Sequence, residues 1–155
     1  DLDFLVDLID FAANTDPEFR KRHFLPPVLA EGGPELHFAD RWVVYGKING
    51  RQLFTAKELT VEPGRSVVIR DGGCYGLVAT QGRGTIGAPH RSGAKLTIEA
   101  PGLIRYGQMT SDEFFVAADR ARAGVEFVNT GESEPLVTLR YFGPEACPAA
   151  PELPR

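Results

Sequence analysis

The sequence predicts an all-β domain, short strands closed into a barrel and preceded by a short helical arm. Three observations predict it. From Thr60 to Pro144, β-type runs of a few residues alternate with glycine and proline turns. Gly 17 and Pro 12 in 155 residues favour many turns over long helices. Eight or more short strands at this spacing point to a sandwich or barrel.

At 155 residues the chain holds one domain plus extensions, enough to bury a core without a disulfide or structural metal. Hydrophobic residues make up 43% and charged residues 25%, which places it among globular domains and not disordered ones. A net charge of -4 argues against a phosphate-backbone binder, so no nucleic-acid partner is expected. The one dense basic run, Arg20-Lys21-Arg22-His23, reads as a solvated helix end. No apolar stretch approaches the ~18 residues of a membrane span, and no membrane partner is expected. The opening Asp1-Leu2-Asp3 lacks both the basic start of a signal peptide and an initiator Met. A cytoplasmic location and further sequence upstream are the expectations. Cys74 and Cys147 are too few and too far apart for a disulfide framework or a zinc site.

Taken in order, Leu5, Leu8, Ile9 and Ala12 recur at helical spacing, flanked by Phe4 and Phe11, while Asp1, Asp3, Asp7 and Asp10 fill the other face. A short amphipathic helix follows from this, one that needs a surface to lie on. Asp16 caps a second helix with Pro17 in its first turn, ending near His23 before Pro26-Pro27. Residues 25–40 read as an irregular connector, so the arm and connector span 1–38 and the barrel 39–144. Residues 41–47 form a strand, and Asn49-Gly50 marks a hairpin into 51–56. Strands then follow at 57–62, 66–70, 76–80, 84–87, 94–99, 103–106, 113–117, 125–129 and 136–142, with Ala117 to Gly124 as one helical turn or an exposed loop. Closing so many short strands into a barrel removes aggregation-prone edges. The tail 145–155, rich in proline and alanine, is an extended strap or a disordered end.

Three turns carry a family likeness. Val61-Glu62-Pro63-Gly64, Gln81-Gly82-Arg83-Gly84, and Phe127-Val128-Asn129-Thr130-Gly131 before Pro135 resemble the landmark turns of the cupin superfamily over roughly residues 55 to 143. The resemblance implies a double-stranded β-helix, a jelly-roll barrel, and in most members a metal held by a His-x-His pair, a Glu and a last His. Two ligands spaced two apart on one strand point into the barrel together. Counting from the turns puts Arg70 and Gly72 at the His-x-His, Tyr75 or Leu77 at the Glu, and Val125 at the last His. Every ligand is replaced, so neither a metal nor another cofactor is expected. His23, His37 and His90 are left as candidate ligands, with nothing in the sequence to bring them together.

A barrel without metal can still bind a small polar or anionic molecule, a sugar or sugar phosphate, through inward side chains. The family's strand phase turns Arg70 and Tyr75 inward, and Arg105, Tyr106, Gln108, Glu126 and Arg140 sit where one phase does the same. An arginine there either clamps an anion with its planar fork or pairs with a carboxylate such as Asp71, Glu99 or Glu126. Two functions follow. One is a metal-free supporting, binding or oligomerisation module of a larger protein similar to phosphomannose isomerase, packed as a homodimer or on an upstream domain. The other is a stand-alone, metal-independent isomerase or epimerase with His90 or Tyr75 as acid/base and Arg70 or Arg105 as anion clamp.

Overall fold

A computed structural model describes residues 2–20, 24–89, 95–100 and 111–153 of the chain. Among the described residues ten strands form two antiparallel sheets. They are β1 (Val28–Gly33), β2 (Phe38–Val44), β3 (Thr55–Val61), β4 (Ser66–Ile69), β5 (Tyr75–Gln81), β6 (Arg83–Gly87), β7 (Lys95–Glu99), β8 (Glu113–Val116), β9 (Val125–Asn129) and β10 (Leu136–Phe142). The first sheet runs β1-β2-β3-β10-β5-β8 and the second β4-β9-β6-β7. From β3 to β10 the chain passes back and forth between the sheets, with β6 and β7 as the one consecutive pair within a sheet, as in a jelly roll, and the all-β barrel expected from the sequence is the fold observed. Among the described residues no helix is long and apolar enough to cross a membrane.

The strand pattern explains the packing. In β10 the side chains of Leu136, Thr138, Arg140 and Phe142 are buried while those between are half-buried. In β9 Val125, Phe127 and Asn129 turn inward in the same way. Leu59, Val61, Ile69, Leu77, Ile98 and Phe127 meet in the apolar core between the sheets. At the first hairpin Asn49 (φ 52) and Gly50 (φ 76) both adopt the left-handed region, as a two-residue turn demands, and Ile48 bridges Arg51. Asn129 pins the last landmark turn. Its side-chain amide donates to the carbonyls of Val61 at 2.9 Å and Glu134 at 2.8 Å, and its Oδ1 accepts from the Gly131 N–H at 2.7 Å.

Three local expectations are corrected. The amphipathic helix is broken into α1 (Leu2–Asp7) and α2 (Phe11–Thr15), because the Asp10 carboxylate accepts the Ala13 N–H at 2.9 Å and starts a new helix. Asp16 does open a turn, accepting the Glu18 N–H at 2.9 Å, and Phe19 and Arg20 are helical. The remainder of that expected helix, the strand at 103–106, His23 and His90 lie outside the described residues. The stretch expected as irregular connector supplies β1, bulged between Leu29 and Glu31, and a 3-10 turn at Pro34–Leu36 that turns the chain into β2. Pairing with β2 overrides its weak β-propensity. Residues 52–54 are not strand, and 55–61 form one continuous β3. Ala118–Ala123 takes the helical of the two forms expected for that stretch, α3, and its Ala121 is fully buried.

One glycine of the turn motif is required for close approach. A Cβ at Gly84 would lie 2.1 Å from the Val128 carbonyl oxygen and 3.0 Å from Leu136 Cδ2, so strand β9 would have to shift. Gly84→Ala is expected to destabilise the fold by about 1–3 kcal/mol in urea unfolding. Gly143→Ala, where a Cβ meets nothing within 4 Å, should be near neutral in the same measurement.

Candidate functional site

The interior holds a closed ring of four charges. Asp40 on β2, Lys57 on β3 and Arg140 on β10 project from neighbouring strands of the first sheet, with Lys57 and Arg140 directly paired across β3 and β10. Asp71, two residues beyond the end of β4, reaches in from the second sheet. The Arg140 guanidinium donates through Nη1 to Asp71 Oδ2 and through Nη2 to Asp40 Oδ1. Lys57 Nζ lies 2.9 Å from Asp71 Oδ1 and 3.5 Å from Asp40 Oδ2. Each carboxylate thus gives one oxygen to each cation, and the two sheets are clasped together.

Burial makes this ring consequential. The side chains of Arg140, Asp71 and Asp40 are 0 to 1% exposed and that of Lys57 11%. Lys57 Nζ also sits 4.6 Å from the centroid of Trp42 and 5.8 Å from that of Phe142, where the ring faces attract a cation. Burial alone would lower the Arg140 pKa, but Asp40 and Asp71 more than offset it, and the net shift is upward. Arg140 is therefore a fixed charge. Beside it, Tyr75 is 2% exposed, with its ring centroid 5.8 Å from the guanidinium carbon. Burial, partly opposed by the Arg140 charge, raises the Tyr75 pKa, and its hydroxyl has no hydrogen-bond partner among the described residues. A hydroxyl sealed and held protonated in this way has no route to a substrate proton, against the acid/base role considered for it.

The remaining sequence candidates are not brought to this ring. Arg70 was expected to point inward, yet it is exposed while its neighbours Ile69 and Asp71 are buried. The phase of that strand is one residue off the count, and a one-residue slip moves every side chain to the other face. Glu126 is likewise turned away from the interior, between inward Val125 and Phe127, and pairs with Lys95 at 3.0 Å. His37 sits on the outer turn before β2 with its Nδ1 2.7 Å from Glu62 Oε2, an exposed pair. Arg105, Tyr106 and Gln108, with His23 and His90, lie outside the described residues. Arg140 does point inward, and it meets carboxylates, which is the second of the two outcomes weighed for such an arginine. Asp40 and Lys57 were not anticipated at all.

This donor set does not fit a metal. The inward positions that correspond to the expected ligands are Ile69, Asp71, Tyr75, Leu77 and Val125, of which only Asp71 is a ready oxygen donor, and both of its oxygens are taken by cations. A divalent ion would enter beside an ammonium and a guanidinium and would have to displace them. Among the described residues no group of three or more His, Cys, Asp or Glu is placed to hold a metal ion.

Solved structures share the architecture. The chain is similar to vicilin from hazelnut, with a TM-score of 0.59 and 15% identity over 79% of this chain and 32% of that one. It is similar to the oxalate decarboxylase of Bacillus subtilis, a protein with Mn(II) centres, at TM-score 0.54 and 15% identity over 81% of this chain and 30% of that one. The oxalate decarboxylase of Lactobacillus farciminis gives TM-score 0.53 and 15% identity over 81% and 32%. The chain spans about a third of the length of each of these proteins. No protein-family model matches the sequence, and no curated protein does. At such identities the likeness is one of fold, and the fold is that of the cupins.

Proposed function

We propose that this cupin barrel is a metal-free module whose interior is a structural ion-pair core, and that it serves a longer protein by support, binding or oligomerisation. The observation that carries the reading is the closed ring: among the described residues, the buried carboxylates Asp40 and Asp71 are neutralised by Lys57 and Arg140, so the ring itself offers no free charge to a metal or a phosphate. A catalytic reading needs an available acid/base beside a free anion clamp. Arg140 is committed to two carboxylates and Tyr75 is sealed, so the stand-alone isomerase is the weaker of the two.

The finer reading makes the chain a cytoplasmic part of a sugar-phosphate isomerase-like protein. The resemblance of its turns to the family's landmark turns supports the isomerase-like part of this reading. Exposed Phe4, Leu5, Leu8 and Phe11 on the arm supply apolar surface for a homodimer or an upstream domain. Metal analysis of the purified chain, with thermal unfolding in EDTA and in added manganese or zinc, tests the core claim. Well under one equivalent of bound metal and an unchanged midpoint are expected. Stoichiometric metal whose removal lowers the midpoint would refute it.

A further inference from the structure

We infer that a cleft between the two sheets binds a small amphipathic anion, an apolar chain bearing a carboxylate. The cleft is separate from the charged ring and has a volume of about 290 Å³. Ile86, Leu96, Phe114, Val116 and Val125 line it from β6, β7, β8 and β9, and Arg120 of α3 joins the lining. Leu96, at the edge of the cleft, is 53% exposed, so an apolar side chain stands open at the mouth.

Three features select the occupant. Among the described residues the lining includes one charged side chain, the exposed Arg120, and no carboxylate pairs with its guanidinium. An uncommitted fork beside apolar walls complements an anionic head on an apolar tail. The volume corresponds to about ten water molecules, at the lower end of small-molecule pockets, and is too small for a docked helix. The walls also come from β strands and a helix with buried anchors, Ile86, Val116, Ala121 and Val125, so the cleft is pre-formed.

This inference goes beyond the reading of the barrel interior and does not depend on it: the cleft can bind whether or not the ring excludes metal. Sodium octanoate, titrated by calorimetry and by amide resonances of Ile86, Leu96, Val116 and Val125, is the probe. Saturable binding that shifts these resonances is expected, with octylamine and acetate failing to compete. Arg120→Gln should weaken octanoate by about tenfold and Arg120→Lys by less. Leu96→Glu, an exposed change that sets a carboxylate at the mouth, should abolish binding without unfolding the chain. The inference is overturned if octanoate shows no saturable binding, if octylamine binds equally well, or if Arg120→Gln and Leu96→Glu retain the affinity. It is equally overturned if the same resonances move with protein concentration alone, which would mean a second copy covers the cleft.

Discussion

Arg140→Met is expected to cost about 3–5 kcal/mol of unfolding free energy, the largest effect of any single substitution considered for this chain. Methionine keeps much of the apolar stem but removes the guanidinium that serves both carboxylates. Asp40 and Asp71 then share Lys57 alone, and the buried set changes from neutral to one net negative charge. An uncompensated buried charge is far costlier than the intact pair is favourable. The quadruple variant Asp40→Asn, Lys57→Met, Asp71→Asn, Arg140→Met tests this asymmetry: without charges to strand, it should recover much of the loss. The sign of the pH dependence also follows. A cation whose folded pKa is raised contributes stability that is complete below its unfolded pKa and is lost only as pH climbs through the folded value. For Arg140 that window lies above the working range, so its contribution should be flat between about pH 5 and 10. Urea unfolding of the variants across that range measures both. A loss under about 1 kcal/mol for Arg140→Met would mean that the ring is solvated and exchanges freely.

The sequence carried the strands better than the interior. β9 and β10 are recovered residue for residue because each is a short run rich in β-branched, aromatic and leucine side chains bounded by turn residues, Gly124 and Thr130-Gly131 for one and Pro135 and Gly143 for the other. β1 was not legible: Val28-Leu29-Ala30-Glu31-Gly32-Gly33 has no alternation, and its extended form is set by the partner strand. The phase of β4 was ambiguous for a different reason. Val67, Val68 and Ile69 offer apolar side chains to both faces, so only the tertiary contacts decide that Ile69 and Asp71 point inward and Arg70 outward. The ring itself was hidden because a charged residue in a strand reads as solvent-facing by default. Lys57 sits next to Glu58, and nothing local tells which of the two turns in. The partners come together across 100 residues for Asp40 and Arg140 and 69 for Asp71 and Arg140, separations at which spacing carries no signal.

Gln52→Ala should free the C-terminal strap from the barrel and lower stability by about 2–4 kcal/mol. The tail expected as a strap or a disordered end is a strap through residue 153. Gln52, 4% exposed, donates from Nε2 to the Cys147 carbonyl at 2.9 Å and accepts the Cys147 N–H on Oε1 at 3.4 Å, as a side chain imitating a neighbouring strand. Its own carbonyl accepts the Glu145 N–H at 3.2 Å. The strap lies so close to the loop after β4 that a Cβ at Gly72 would meet the Ala146 oxygen at 2.8 Å, and one at Gly73 the Ala146 Cβ at 2.9 Å. Lys47 and Glu152 close the far end at 3.1 Å. Cys147 beneath the strap is 5% exposed, and burial foremost, with the nearby Asp71 charge, pushes its thiol up to about 11. Alanine at position 52 leaves the Cys147 amide and carbonyl without partners in a site closed to water, which is the source of the cost. Two readouts separate a strap effect from a general loss of stability. With Ellman's reagent at pH 8, exposed Cys74 should react fast and Cys147 slowly in the unaltered chain, and Gln52→Ala should bring Cys147 toward the rate of Cys74 under conditions where the fold persists. The alkaline limb should change as well. A thiol whose folded pKa is raised stabilises the chain fully below its unfolded pKa of 9.0, and this contribution fades as pH rises toward about 11. Gln52→Ala, by wetting the thiol, should flatten that decline. Equal labelling of the two cysteines in the unaltered chain, or a Gln52→Ala variant of unchanged stability, would show that the strap does not hold the barrel shut.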